Sequence, residues 1–180
     1  MKHKTRPTGK PADYYVLGLI PGGIVFWILA GKVKFPAAIL QLVALCMFAA
    51  ALFILIRYRL TVFCLRIEGK NGSAVDVHTA MPHELDLVIE RMRGSGSLAL
   101  ARLSLDLLKR AEVVKYDRLK EITEGASVFK YQADMSPEEG ILLVFRENGR
   151  DIAIFTDLPP EMFNFLRSIA ESNLGEDTSK

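Results

Sequence analysis

Two long apolar runs lie almost back to back near the start of the chain, Tyr14–Gly31 and Phe35–Ile56, separated only by Lys32, Val33 and Lys34. The second run carries a single strongly polar side chain, Gln41. As a helix it extends about 33 Å at about 1.5 Å per residue, against a bilayer hydrocarbon core of about 30 Å. The pattern predicts a transmembrane helical hairpin over 14–57, with everything after it on one side of a membrane. Half of the 180 residues are hydrophobic, and that excess sits before Arg57. The remainder carries 17 Lys and Arg against 20 Asp and Glu, the composition of an ordinary soluble domain. It is long enough to bury a core of its own. A mildly acidic domain without a Lys/Arg cluster argues against nucleic acid as a partner.

The first run is broken by Pro21-Gly22-Gly23. In water this would end a helix; in a bilayer the kink persists if a neighbour satisfies the freed carbonyl. Gly18, Pro21, Gly22 and Gly23 are therefore the helix-packing and kink residues, small enough for close approach to the second helix. A binding notch at the kink is the alternative. A cleaved signal peptide is the other reading of the N-terminus, given its basic start and Ala30-Gly31, although the run is long and Ile28 is poor at the −3 position. Lys2, Lys4, Arg6 and Lys10 precede the first run, Arg57, Arg59 and Arg66 follow the second, and only Lys32 and Lys34 lie between. Positive charge favours the cytoplasmic side, so both termini are expected there, with the Gly31–Pro36 turn outside, in a multi-pass cell-membrane protein. Lys2, Lys4, Arg6, Lys10, Arg57 and Arg59 are the candidates for contact with anionic lipid. Neither run contains Asp, Glu, Lys, Arg or His, which reads as an anchor and not as a transport pathway.

The organisation predicted is a basic N-terminus over 1–13, the hairpin over 14–57, a cytoplasmic β domain over 58–173 and a flexible tail over 174–180. The β domain opens with a strand over Arg57–Glu68 that follows the hairpin without a linker and ends in a tight Asn71-Gly72 turn. Leu85–Met92 and Ser97–Leu103 flank Arg93–Gly96 as a second hairpin. Residues 98–108 alternate but change parity at Arg102, giving a strand, a bulge or turn, then a strand through Val113–Tyr116; a helix is the alternative. Tyr116–Glu124 reads as a short helix with Tyr116, Leu119 and Ile122 facing inward, and Ser127–Ala133 as a strand. Ile141–Glu147 and Arg150–Phe155 flank Asn148-Gly149, a two-residue turn that fixes the register: Glu147 with Arg150, Arg146 with Asp151, Phe145 with Ile152. A C-terminal helix starts at Pro159-Pro160-Glu161, buries Met162, Phe163, Leu166, Ile169 and Ala170, and stops near Gly175.

The fold class expected is an α+β membrane protein: a two-helix hairpin, then six or seven antiparallel strands in a barrel or sandwich, then a helix. On Ala101–Leu108, Ile141–Gly149 and Ile154–Phe163 the chain resembles the pleckstrin-homology (PH) fold, and more particularly bacterial membrane-anchored PH-like proteins of the YcxB-like kind. The resemblance covers roughly Arg57–Glu171. It implies a bent β domain capped by a helix beside a membrane hairpin, with strand sequence ahead of that hairpin, where this chain has only its basic segment. It implies no particular activity.

His78, His83, Glu84 and Asp86 come nearest to a metal site, yet Pro82 interrupts their spacing, so no metal and no cofactor are expected. Arg93–Ser97 lacks the Gly-Lys-Ser/Thr ending of a phosphate loop. The basic stretch Lys109, Arg110, Lys115, Arg118 and Lys120 is diluted by Glu112, Asp117 and Glu121. Cys46 and Cys64 make no disulfide framework and read as packing thiols, with palmitoylation of Cys64 as the alternative. No Ser/His/Asp or Cys/His arrangement is legible. The function expected is non-enzymatic: an interaction or scaffold protein presenting its domain at the cytoplasmic membrane face, in contact with membrane lipids and with another protein or its own copies. An accessory subunit of a transporter or membrane enzyme is the second reading, and a metal enzyme using His78, His83 and Glu84 the third.

Overall fold

The computed structural model describes residues 1–5, 10–33, 37–73, 76–77, 79–94, 96–135 and 137–177. It divides into two compact units, one of Pro7–Thr61 with Ala133–Ser136, the other of Met1–Arg6, Val62–Gln132 and Pro137–Lys180.

The first unit is a helical pair, α1 (Lys10–Ala30) and α2 (Ala37–Leu55). Ala, Leu and Met dominate α2, and they are strong helix formers. Both helices are long and apolar enough to cross a membrane. Most of their large side chains lie open: Leu17 is 72% exposed, Leu42 60% and Phe53 67%. A core helix of a soluble domain would bury such residues. Helix α1 runs through Pro21, which has no N–H to donate to the Leu17 carbonyl. After α2 the chain widens into a π-helical turn, Ile56–Leu60. Thr61 Oγ1 closes it by donating to the Ile56 carbonyl at 2.9 Å. The predicted strand over 57–68 therefore begins later, at Val62. The helical path holds through Arg59, whose guanidinium makes a two-point contact with Asp13 at the start of α1 (Nε to Oδ1 2.8 Å, Nη2 to Oδ2).

Among the described residues the second unit holds eight strands: β1 (Lys2–Lys4), β2 (Val62–Gly69), β3 (Leu85–Arg93), β4 (Gly96–Ser104), β5 (Leu108–Lys115), β6 (Ser127–Lys130), β7 (Glu139–Glu147) and β8 (Arg150–Thr156). A four-residue helix, α3 (Leu119–Ile122), precedes β6, and α4 (Pro160–Asp177) ends the domain. The strands form two four-stranded sheets, ordered β1-β2-β3-β4 and β5-β7-β8-β6. The architecture is thus α+β with two open sheets, not a closed barrel. The inner faces of the two sheets meet α4 in one core: Leu65, Leu87 and Ile89 from the first sheet, Leu143, Phe145 and Ile154 from the second, Met162 and Leu166 from the helix.

Several elements differ from expectation for local physical reasons. β1 lies in the segment read as a plain basic tail, and it pairs antiparallel with β2, Lys2 opposite Arg66 and Lys4 opposite Cys64. Asn71-Gly72 makes a 3₁₀ turn and not a tight hairpin, because β2 pairs with β3 from Gly69 opposite Leu85. The β6–β8 pair is parallel, since β6 lies beside β8 and not beside β7, which follows it in the chain. Ile122 points out, 38% exposed, while Leu119 is buried. Helix α4 continues past Gly175.

The β7–β8 hairpin keeps its predicted register throughout, Glu147 opposite Arg150 and Phe145 opposite Ile152. Asn148 and Gly149 both take positive φ, 51° and 76°. Replacing Gly149 by Val forces a β-branched side chain into that region, at a cost of about 1–3 kcal/mol. Thermal melting of Gly149→Val in detergent should show a midpoint several degrees lower, with the folded spectrum retained.

Candidate functional site

Helix α4 lies along β5 and leaves a groove of ≈ 430 Å³. Its fixed point is Asn173, whose amide nitrogen is 2.9 Å from the Leu105 carbonyl, 3.2 Å from that of Asp106 and 2.9 Å from that of Leu108. The walls are Ala111 and Val113 on β5 and Phe163, Ala170 and Leu174 on α4. Around Lys109, Arg110 and Leu174 the groove continues into a second hollow of ≈ 350 Å³, bounded by Thr123, Val144, Arg146 and Asp151. Among the described residues β5 is the edge strand of its sheet, so the groove runs beside backbone that no further described strand pairs.

The charges at the rim are matched. Arg110 Nη1 is 3.4 Å from Glu112 Oε1, Arg167 Nε donates to Glu171 at 2.9 Å, and Arg146 Nε donates to Asp151 at 2.8 Å. The Arg146 hydrogen bond is the largest influence holding the Asp151 carboxyl below the ordinary carboxylate range. Exposed pairs of this kind contribute about 0–1 kcal/mol each; what they give the groove is an apolar floor with a nearly neutral rim. Thr123 Oγ1 is already committed to the Leu119 carbonyl at 2.6 Å. Such a site can hold an apolar side chain or an extended segment. It has no nucleophile set against a base.

A second cluster covers the outer face of the first sheet. Arg66 reaches Glu68 at 2.9 Å and Glu90 at 3.0 Å, and Arg102 reaches Glu68 at 2.6 Å and Asp86 at 3.2 Å. Asp86 is buried. Two guanidiniums thus knit β2, β3 and β4 across the pleat. Sequence reasoning missed this ladder; its signal is the spacing Arg66-x-Glu68 and Asp86-x-x-x-Glu90, which places each set on one face of its strand.

The residues singled out from sequence do not converge. His83 is exposed in a 3₁₀ turn, Glu84 Oε2 accepts the Met81 N–H at 3.1 Å within that turn, and Asp86 is tied to Arg102. His78 lies outside the described residues, and among the described residues no group of His, Cys, Asp and Glu is arranged to hold a metal ion. Lys2 and Lys4 stand exposed on β1, while Arg6 and the Lys10 side chain lie outside the described residues. Arg59 is engaged by Asp13, and Arg57 sits over the Tyr58 ring at 5.4 Å. Cys64 is fully buried in β2, closed to acylation, and Cys46 is exposed on α2. A Cβ on Gly22 would lie 2.5 Å from Met47 Cε and one on Gly23 2.7 Å from Phe48 Cε1, so both are close-approach positions against α2; Gly18 faces open space.

Comparison with protein families, with curated proteins and with solved structures finds no match for this chain.

Two outcomes follow from this geometry. Gly23→Leu drives a side chain into the Phe48 ring and should cost about 1–3 kcal/mol by overpacking, whereas Gly18→Leu should leave the melting midpoint in detergent unchanged. His3, between Lys2 and Lys4 on β1, is held below the usual imidazole range by burial, with the Asp157 carboxylate pulling the other way. The unfolded chain then binds the proton more readily, so stability is full above about pH 6.5 and falls as pH drops below it, levelling off under the lowered native value. Melting of wild type and His3→Gln between pH 8 and pH 5 should show the variant losing less stability over that window; a steeper loss in the variant would contradict the assignment.

Proposed function

We propose that this chain is a non-enzymatic, membrane-anchored interaction protein that presents a PH-like β domain at the cytoplasmic face of the cell membrane. One observation carries the reading. β1 and β2, neighbours in one sheet, are the chain segments that immediately flank the two apolar helices. Helices inserted between adjacent strands of one sheet must leave and return on the same side of a bilayer, so an even number of spans is required, and two are long enough. A strand ahead of the hairpin also fits the arrangement of YcxB-like proteins. The cations Lys2, Lys4, Arg57 and Arg59 flank the domain side of the hairpin, which argues for a cytoplasmic domain.

The groove beside β5 supports the interaction role: an apolar floor, a matched rim and an edge strand suit a polypeptide segment better than a small charged substrate. On the second reading, an accessory subunit, Gly18, Pro21, Gly22 and Gly23 would pack on the helices of a larger partner; Met47 and Phe48 of the same hairpin already lie against Gly22 and Gly23.

The test is topological. In intact cells carrying a Cys46→Ala, Cys64→Ala background, Lys32→Cys should react with a membrane-impermeant maleimide, and Ser127→Cys on β6 should react only after the membrane is opened. Labelling of both, or of neither, in intact cells would overturn the proposed topology.

A further inference from the structure

β2 begins at Val62, the residue after Thr61, where the helical unit's main segment ends. β1 ends on the same side, since Thr5 bonds Phe63. Both connections to the apolar helices therefore leave the first sheet from one end. Strand direction decides what else lies there. β3 returns antiparallel to β2, Arg91 opposite Phe63 and Met92 opposite Val62, and the turn into β4 follows at once, Arg93 opposite Gly96. The other end of β2 leads into Lys70–Gly72, about 25 Å away along the strand.

The tip of the β3–β4 hairpin is basic and partly apolar. From Arg91 to Ala101 the chain has two arginines and no Asp or Glu. Arg91 and Arg93 are exposed, and neither meets a carboxylate among the described residues. Glu90, the acid beside them on the strand, is bound to Arg66 at 3.0 Å. The residues opposite the two arginines, Phe63, Leu98 and Gly96, are uncharged. Residues opposite one another share a face, so Leu98, Arg91 and Phe63 form one row. The row continues through rings: Phe63 meets Tyr131 at 5.4 Å between centroids, and Tyr131 stacks on Phe129 at 6.4 Å. Leu98 is 54% and Phe129 46% exposed.

We propose that this end of the sheet is seated on the anionic headgroups of the bilayer that holds the hairpin, with Arg91 and Arg93 against the phosphates and Leu98 and Phe129 at the boundary with the acyl chains. The proposal rests on the membrane reading above. Two observations choose lipid as the occupant. One is the tether. From Leu60, the end of the second candidate span, Arg93 is two steps along the chain, one across the strand pair and one step further, so their Cα atoms are at most about 17 Å apart. The other is charge. The cytoplasmic leaflet is negative, and each basic side chain at such a surface favours the bound state about fivefold, the pair about thirtyfold.

The experiment uses the purified full chain, with Cys46→Ala and the buried Cys64 retained, in vesicles of phosphatidylcholine with or without phosphatidylglycerol. A fluorophore is attached at the tip through Ser97→Cys, or at the far end through Lys70→Cys, and phosphatidylcholine with a nitroxide on its headgroup is the quencher. In anionic vesicles quenching at Ser97 should exceed that at Lys70 at least threefold. Arg91→Gln with Arg93→Gln should lower it to the Lys70 level with melting unchanged, while Arg91→Lys with Arg93→Lys should retain it. Trp27, the one tryptophan of the chain, reports the hairpin separately through quenching by lipid brominated in its acyl chains. A quenched Trp27 with Ser97 no better quenched than Lys70 overturns the seating and leaves the membrane reading standing; a Trp27 that brominated lipid does not quench overturns both. Equal quenching at Ser97 in neutral and anionic vesicles, or with and without the two glutamine substitutions, also overturns the proposal.

Discussion

The structure depends on a short ladder between the two ends of the chain's apolar segment. Thr5 donates its backbone N–H to the Phe63 carbonyl at 2.9 Å, and its buried hydroxyl lies 3.1 Å from both the carbonyl and the N–H of Phe63, 58 positions away. The Met1 carbonyl accepts the Ile67 N–H at 2.9 Å, and the terminal ammonium donates to the Ile67 carbonyl at 3.2 Å. These bonds make the helical pair an insertion between neighbouring strands, not an N-terminal appendage. Closing so long a loop is entropically unfavourable, though the cost grows only slowly with length. The helical pair lowers it independently. With α1 and α2 antiparallel and Asp13 bound to Arg59, the chain positions that lead into β1 and β2 are already neighbours. Helix packing and strand pairing therefore ask the chain for the same closure, and each favours the other.

What was legible in the sequence is what is decided locally. Asn148-Gly149 requires positive φ at two successive positions and so dictates a turn type, a register and every cross-strand pair down to Arg146 with Asp151. The apolar runs dictate helices because no other element satisfies so many backbone groups among uncharged side chains. The parity change at Arg102 had a real cause, the bulge at Leu100 together with the 3₁₀ turn Leu105–Leu107 that lets β4 hand over to the second sheet.

What was not legible is what is decided by partners far along the chain. Lys2-His3-Lys4 has no strand signature; it is extended because β2 offers an edge. The parallel β6–β8 pair is invisible from β6, since its four exposed residues carry the pattern of neither edge nor core. On the other face of the β7–β8 hairpin Leu142 and Phe155 form a second core with Val114 and Leu119, which come from segments well ahead of it in the chain. The groove beside β5 escaped for the same reason. Its residues come from 109–113 and 163–174, two segments that mean nothing to each other until Asn173 bonds the carbonyls ahead of β5.

The basic start of the chain, which in sequence suggested only a charge signal, is also an edge protector. β2 presents buried Phe63, Leu65 and Ile67 along a strand whose far side is paired to β3. Without β1 its near side would be a long, apolar, unpaired edge of the kind that drives strands of different chains together. β1 covers that edge with main-chain bonds and turns two exposed lysines outward from it. Cleavage after Ala30, the expectation of a signal peptide, would remove β1 together with α1 and expose β2. The same logic separates the two edges of this sheet: one is sealed by a strand from beyond the hairpin and marked with charge, while β4, at the opposite side, is uncharged over Gly96–Ala101 and carries its one cation, Arg102, in ion pairs with Glu68 and Asp86.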